Sequence, residues 1–161
     1  METDKVIKKF KTNAQGMANA WYALHVLNID ELSLLKPFLR TRFGIDRQLC
    51  YNLICIICRG LNNIDVSDEI KEWINSAVVV RQSEIYSIDL INQRINFLKE
   101  VIQNELYSLK ESGQISETVL YKSQVKITKM LDTVIKEYKE YIEVLSNAVS
   151  TDSQKKHTNS C

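Results

Sequence analysis

Between residues 82 and 150 the apolar positions recur in steps of three and four, or their sums, and the pattern breaks once, at Ser112-Gly113-Gln114. The first run carries Ile88, Ile91, Ile95, Leu98, Ile102, Leu106 and Leu109; the second carries Leu120, Ile127, Leu131, Val134, Tyr138, Tyr141 and Leu145. This is the period of a helix with one apolar face, so the segment predicts two long helices that reverse at Gly113. In the second run Leu120, Ile127, Val134, Tyr141 and Ala148 share one heptad position, and Gln124, Leu131, Tyr138 and Leu145 share the other. Tyr121, Ile135, Ile142 and Val149 add a third stripe, which widens the face beyond a two-stranded seam and favours packing against two or more helices. In the first run the steps from Leu98 to Leu109 are four, four and three, a stutter that unwinds a left-handed supercoil locally. Asp132, Lys136 and Glu140, four apart, fall on the solvent side.

Upstream, the pattern predicts shorter helices. Residues 3 to 11 form a basic amphipathic segment, with Val6 and Phe10 one turn apart among Lys5, Lys8, Lys9 and Lys11. Asn13 is placed to cap a following helix that carries Met17, Trp21, Leu24 and Leu27. Asn28 with Glu31 matches a capping box for a helix through Leu34, Leu35, Phe38 and Leu39, in which Pro37 predicts a kink or a late start. Gly44 reads as a left-handed stop and Asp46 as the cap of a new helix over residues 47 to 59. That helix is apolar nearly all round and must therefore be central. Gly60 ends it, Asp65 or Ser67 caps a helix holding Ile70, Trp73, Ile74 and Ala77, and Val78-Val79-Val80 continues that helix instead of forming a lone strand.

The expected fold is accordingly all-α: a helical bundle with a long C-terminal antiparallel hairpin of coiled-coil-like pattern. Residues 1–78 form its N-terminal multi-helix region and 79–150 the hairpin. Residues 151–161 lack large apolar side chains and read as a polar disordered tail. One proline and four glycines in 161 residues leave few interruptions for helices. The length suffices for a core without disulfides. Three of the four cysteines, Cys50, Cys55 and Cys58, lie in the most apolar run and read as reduced core residues.

Charge and motifs narrow the chemistry. Net charge is +1, with nine Lys or Arg against five Asp or Glu in residues 1–60, and twelve against fifteen in the remainder. Dense phosphate contact is not indicated. No apolar leader follows the N-terminal lysines and no apolar run reaches membrane-spanning length, so a cytoplasmic protein that is not integral to a membrane is expected. No phosphate-binding glycine loop, nucleophile elbow or paired-histidine metal motif occurs, and neither a catalytic set nor a cofactor is expected. Cys55 and Cys58 share a helix face, but at the end of their helix, where the dipole does not favour a thiolate.

Two readings follow. In the first the chain is a non-enzymatic interaction or oligomerisation protein whose partner is another protein or itself. Ile88, Ile95, Leu98, Ile102, Leu131, Tyr138, Tyr141 and Leu145 then form the interaction surface. The high Ile, Asn and Lys content suits an AT-rich coding source, whether a virus, a mobile element or a low-GC bacterium, and an accessory factor of a virus or mobile element is one form the first reading takes. The alternative is a helix-turn-helix DNA binder that dimerises through the hairpin. Gly44 is its turn, Arg47, Gln48, Tyr51 and Asn52 face the bases, and Arg40 and Arg42 lie near phosphates.

Overall fold

In the computed structural model of the chain, residues 2–27, 36–80 and 88–159 are described, with side chains for 2–24, 47–77, 92–141, 143 and 144. Among these residues five helices follow one another: α1 Glu2–Leu27, α2 Lys36–Leu61, α3 Ser67–Val80, α4 Ile88–Glu111 and α5 Glu117–Asn159. The class is all-α, as the hydrophobic period requires.

Side-chain ties fix the directions of the helices. α1 runs antiparallel to α4, since the Trp21 indole Nε1–H donates to the Arg94 carbonyl at 2.8 Å and the Asn13 amide donates to Glu105 at 3.0 Å. The Ser116 hydroxyl donates to Glu2 at 3.0 Å at the far end of the same pair. α2 is antiparallel to α3: the Trp73 indole donates to the Leu49 carbonyl at 2.8 Å, and Arg59 pairs with Glu69 at 2.6 Å. α5 runs alongside α3, with Lys126 bonded to Asn63 and the Tyr141 hydroxyl donating to Asn75 at 2.9 Å. α4 and α5 are antiparallel, joined by Lys110–Glu117 at 2.9 Å and Lys99–Asp132 at 3.8 Å. The start of α1 and the turns 62–66 and 112–116 therefore gather at one end of the bundle.

Both turns are built by the same local chemistry. Gly113 sits at φ +75°, and the amides of Gln114 and Gly113 donate to the carbonyls of Leu109 and Lys110, the paired bonds of a Schellman motif. Ser116 then caps α5, its hydroxyl accepting from the Val119 amide at 3.3 Å. At the end of α2 the left-handed residue is Asn63, at φ 62°, and the amides of Ile64 and Asn63 donate to the carbonyls of Arg59 and Gly60. The expected stop at Gly60 is thus displaced to Asn63. Gly60 instead faces the Met130 side chain of α5, whose sulfur would have to shift if a Cβ were added there. Asp65 accepts from both the amide and the hydroxyl of Ser67, holding the first turn of α3. Those two bonds hold its carboxyl below the usual range.

One hydrophobic cluster runs through all five helices. It includes Val6, Phe10, Met17 and Trp21 of α1, Leu53, Ile54 and Ile57 of α2, and Ile70 and Ile74 of α3. From the C-terminal pair it takes Ile95, Leu98, Ile102, Leu106 and Leu109, together with Leu120, Ile127, Leu131, Val134 and Tyr138. The buried faces of α4 and α5 are covered by α1, α2 and α3, not by each other alone. The two heptad stripes of α5 need more than one neighbour, and the chain itself supplies them, whereas of the third stripe Ile135 is half-buried and Tyr121 is exposed.

Several boundaries differ from the expected ones. α1 is a single helix with no restart at Asn13, because the Asn13 amide reaches across to α4 instead of capping. The basic segment is its first part, with Val6, Ile7 and Phe10 in the core. α2 begins at Lys36, so Pro37 lies in the first turn, where its missing N–H leaves no bond unmade. α2 then continues through Gly44 and Asp46 without a stop. A glycine inside a helix costs about 1 kcal/mol relative to alanine, too little to break one held by tertiary packing. α3 extends through the three valines. The backbone of α5 is helical to Asn159, through residues expected to form an irregular tail. That stretch contains neither Pro nor Gly, and each added residue gains a backbone bond once the helix exists. The capping box at Asn28 lies outside the described residues.

Candidate interaction surface

The surface expected from periodicity is largely the core. Ile95, Leu98, Ile102, Leu131 and Tyr138 are all buried, and Tyr141 is half-buried with its hydroxyl on Asn75. These side chains are not available to a partner, because α1, α2 and α3 already cover them. The side chains of Ile88 and Leu145 lie outside the described residues. Periodicity marks the correct positions as needing burial, but it carries no information on which chain does the burying.

The helix-turn-helix candidates fare differently. The turn that reading requires is absent, since α2 is helical through Gly44. Arg47 and Gln48 are exposed at the middle of α2, but the Arg47 guanidinium lies 4.7 Å from the centroid of the Tyr22 ring on α1. That cation–π contact ties the side chain to its own fold. Gln48 donates to Asn52 at 3.0 Å, one turn on. Tyr51 is half-buried, and its side-chain bond with Cys55 raises the phenol above its ordinary value. Arg40 and Arg42 lie on α2, with side chains outside the described residues.

Cys58 is 3% exposed, and burial pushes its thiol from 9.0 up to about 11. It behaves as a small apolar core residue, as the sequence suggested. Cys50 and Cys55 are half-buried. Cys55 lines a groove of about 380 Å³ between α2 and α3, with Asn52, Arg59, Glu69 and Trp73 around it. Arg59 and Glu69 neutralise each other across that groove, and the Trp73 indole is spent on Leu49, while Glu72 and Ser76 complete its polar lining. Among the described residues no three His, Cys, Asp or Glu side chains meet as a ligand set for a metal ion. No described helix is long and apolar enough to cross a membrane.

A different set of residues presents apolar surface to water. Tyr121 is 67% exposed, Val144 66%, Ile64 49%, Tyr107 44% and Val125 36%. Val144 lies about five turns beyond Val125 on α5, and the other four lie on elements that meet at one end of the bundle. Tyr107 lies one turn before Lys110 and Tyr121 one turn after Glu117, so both flank the Lys110–Glu117 pair joining α4 to α5. Val125 follows Tyr121 by one turn, and its neighbour Lys126 is bonded to Asn63, beside Ile64. Tyr107, Tyr121 and Val125 thus lie on the side of α5 that faces α4, whereas Ile64 lies on the far side of Lys126, since consecutive residues of a helix point about 100° apart. Sequence reasoning assigned Tyr121 to a buried stripe and singled out neither Tyr107 nor Ile64. The available signal was the lysine spacing: Lys122, Lys126 and Lys129 mark the side of α5 on which Val125 lies.

Neither a family model, nor a curated protein, nor a solved structure matches this chain.

Proposed function

We propose that this is a non-enzymatic helical protein that works by binding another protein, with the exposed group Tyr107, Tyr121, Val125 and Ile64 as its contact surface. The observation that supports this reading is Tyr121, a large side chain two-thirds exposed one turn from the exposed Val125, on a fold that buries most of its long apolar stripes. Aromatic side chains at the centre of such patches supply most of the affinity of protein interfaces. A second copy of the chain is the other occupant of the same class.

The decisive comparison uses the wild-type chain and the double variant Tyr121→Asp/Val125→Asp, each used for affinity capture from the cell that makes the protein. A partner retained by the wild type and lost by the variant, with the variant's circular dichroism unchanged, is the expected outcome. Equal retention by both proteins would reject the surface. Light scattering over a dilution series separates the two occupants, since self-association makes the mass depend on concentration.

A further inference from the structure

On α5 the exposed pair Tyr121 and Val125 lies in a stretch whose charges are of one sign, although Asp65 beside Ile64 and Glu111 one turn after Tyr107 are acidic. Between Glu117 and Asp132 the sequence contains no acidic residue, while Lys122, Lys126 and Lys129 occupy that stretch at spacings of four and three. All three are exposed and lie on the solvent side of α5 with Tyr121 and Val125. The acids at either end are already engaged, Glu117 with Lys110 and Asp132 with Lys99. The Lys110 ammonium holds the Glu117 carboxyl below its usual range, as expected of a carboxylate already satisfied. Lys126 has only the neutral Asn63 amide as partner, and Lys122 and Lys129 form no ion pair among the described residues. The face is therefore an apolar strip along a helix, bordered by three cations without counter-charges of their own.

We propose that the occupant of this face is an acidic amphipathic helix of another protein, its apolar side on Tyr121 and Val125 and its carboxylates against Lys122, Lys126 and Lys129. This rests on the proposed function and specifies the chemistry of the partner. The strip follows the axis of α5 with a repeat of one helical turn, which suits a helix laid along it. Opposite charge at the rim steers association and sets orientation, whereas the apolar centre supplies affinity. Three cations are too few for tight phosphate-backbone binding, which draws on roughly six to ten contacts. The exposed apolar side chains would also gain nothing from a phosphate backbone.

The test uses the full chain labelled with ¹⁵N and a synthetic helical peptide of roughly five turns, with leucines on one face and glutamates flanking them. The same peptide with lysine for every glutamate is the control. Amide shifts confined to the Tyr121–Lys129 stretch and the 62–66 turn are expected with the acidic peptide and not with the basic one. Lys122→Glu/Lys126→Glu/Lys129→Glu should weaken binding about tenfold or more, and the Lys→Gln triple variant by less. Shifts elsewhere, equal binding of both peptides, or no shifts at all would overturn the proposal. So would a preference of the same face for phosphatidylserine vesicles or a DNA duplex. If Tyr121→Asp/Val125→Asp abolishes partner capture while the lysine reversals leave it intact, the contact surface stands and the acidic partner does not. If neither variant affects capture, both fail.

Discussion

Gly113 and Asn63 occupy the same backbone conformation for the same reason, each ending a helix whose last carbonyls need donors. Nothing lies within 4 Å of where a Cβ on Gly113 would sit, so the cost of a side chain there is conformational and not steric. Gly113→Ala should therefore lower stability by about 1 kcal/mol in urea unfolding, the left-handed penalty less the entropy gained by stiffening the unfolded chain. The glycine was legible in the sequence as a break in the apolar period, whereas Asn63 was not, because Gly60 stood nearby as the obvious candidate. Cys58 offers a pH-linked test. Its thiol holds its proton more tightly in the fold, about 11 against 9.0, so the associated stability is complete below pH 9.0 and is lost as pH rises toward about 11. The thermal midpoint should fall less across that window in Cys58→Ala than in the wild type. Iodoacetamide at neutral pH should label Cys58 far more slowly than the half-buried Cys50 and Cys55, as read by mass spectrometry.

At the scale of elements, helices were recognised wherever apolar spacing was regular, and their breaks were overestimated. Asn13 and Gly44 each look like a cap or a stop, but caps act only where the chain leaves the helix, and tertiary packing kept α1 and α2 continuous through them. The contacts that join elements were invisible beforehand, since Trp21 to Arg94 and Trp73 to Leu49 link residues far apart in sequence. Trp21→Phe keeps most of the buried area but deletes the bond to the Arg94 carbonyl. It should cost about 1 to 2 kcal/mol, measured by chemical denaturation. Leu131→Ala removes a fully buried side chain shared by the hairpin and the N-terminal helices, and should cost about 2 to 5 kcal/mol. α1 cannot be treated as a peripheral basic segment, because Val6 and Phe10 are inaccessible to solvent.

For the whole molecule, Tyr121 and Leu131 make the sharpest contrast, since both belong to apolar stripes of α5 in the sequence. Tyr121→Asp should change stability by no more than about 0.5 kcal/mol, whereas Leu131→Asp should prevent folding, as circular dichroism and thermal melts would show. With α2 unbroken at Gly44, anisotropy of a labelled random DNA duplex should stay flat at micromolar protein. A salt-sensitive rise abolished by Arg47→Ala would restore the DNA-binding reading. The sequence alone determined that this chain is helical, that it reverses at Gly113, and that the faces of α4 and α5 require cover, because these follow from local period and backbone chemistry. Only the tertiary structure decided that the cover comes from α1, α2 and α3, leaving Tyr107, Tyr121, Val125, Val144 and Ile64 outside among the described residues. An apolar stripe encodes the need to leave water, and water is excluded equally well by the same chain or by another, so the choice rests on contacts between residues far apart in sequence.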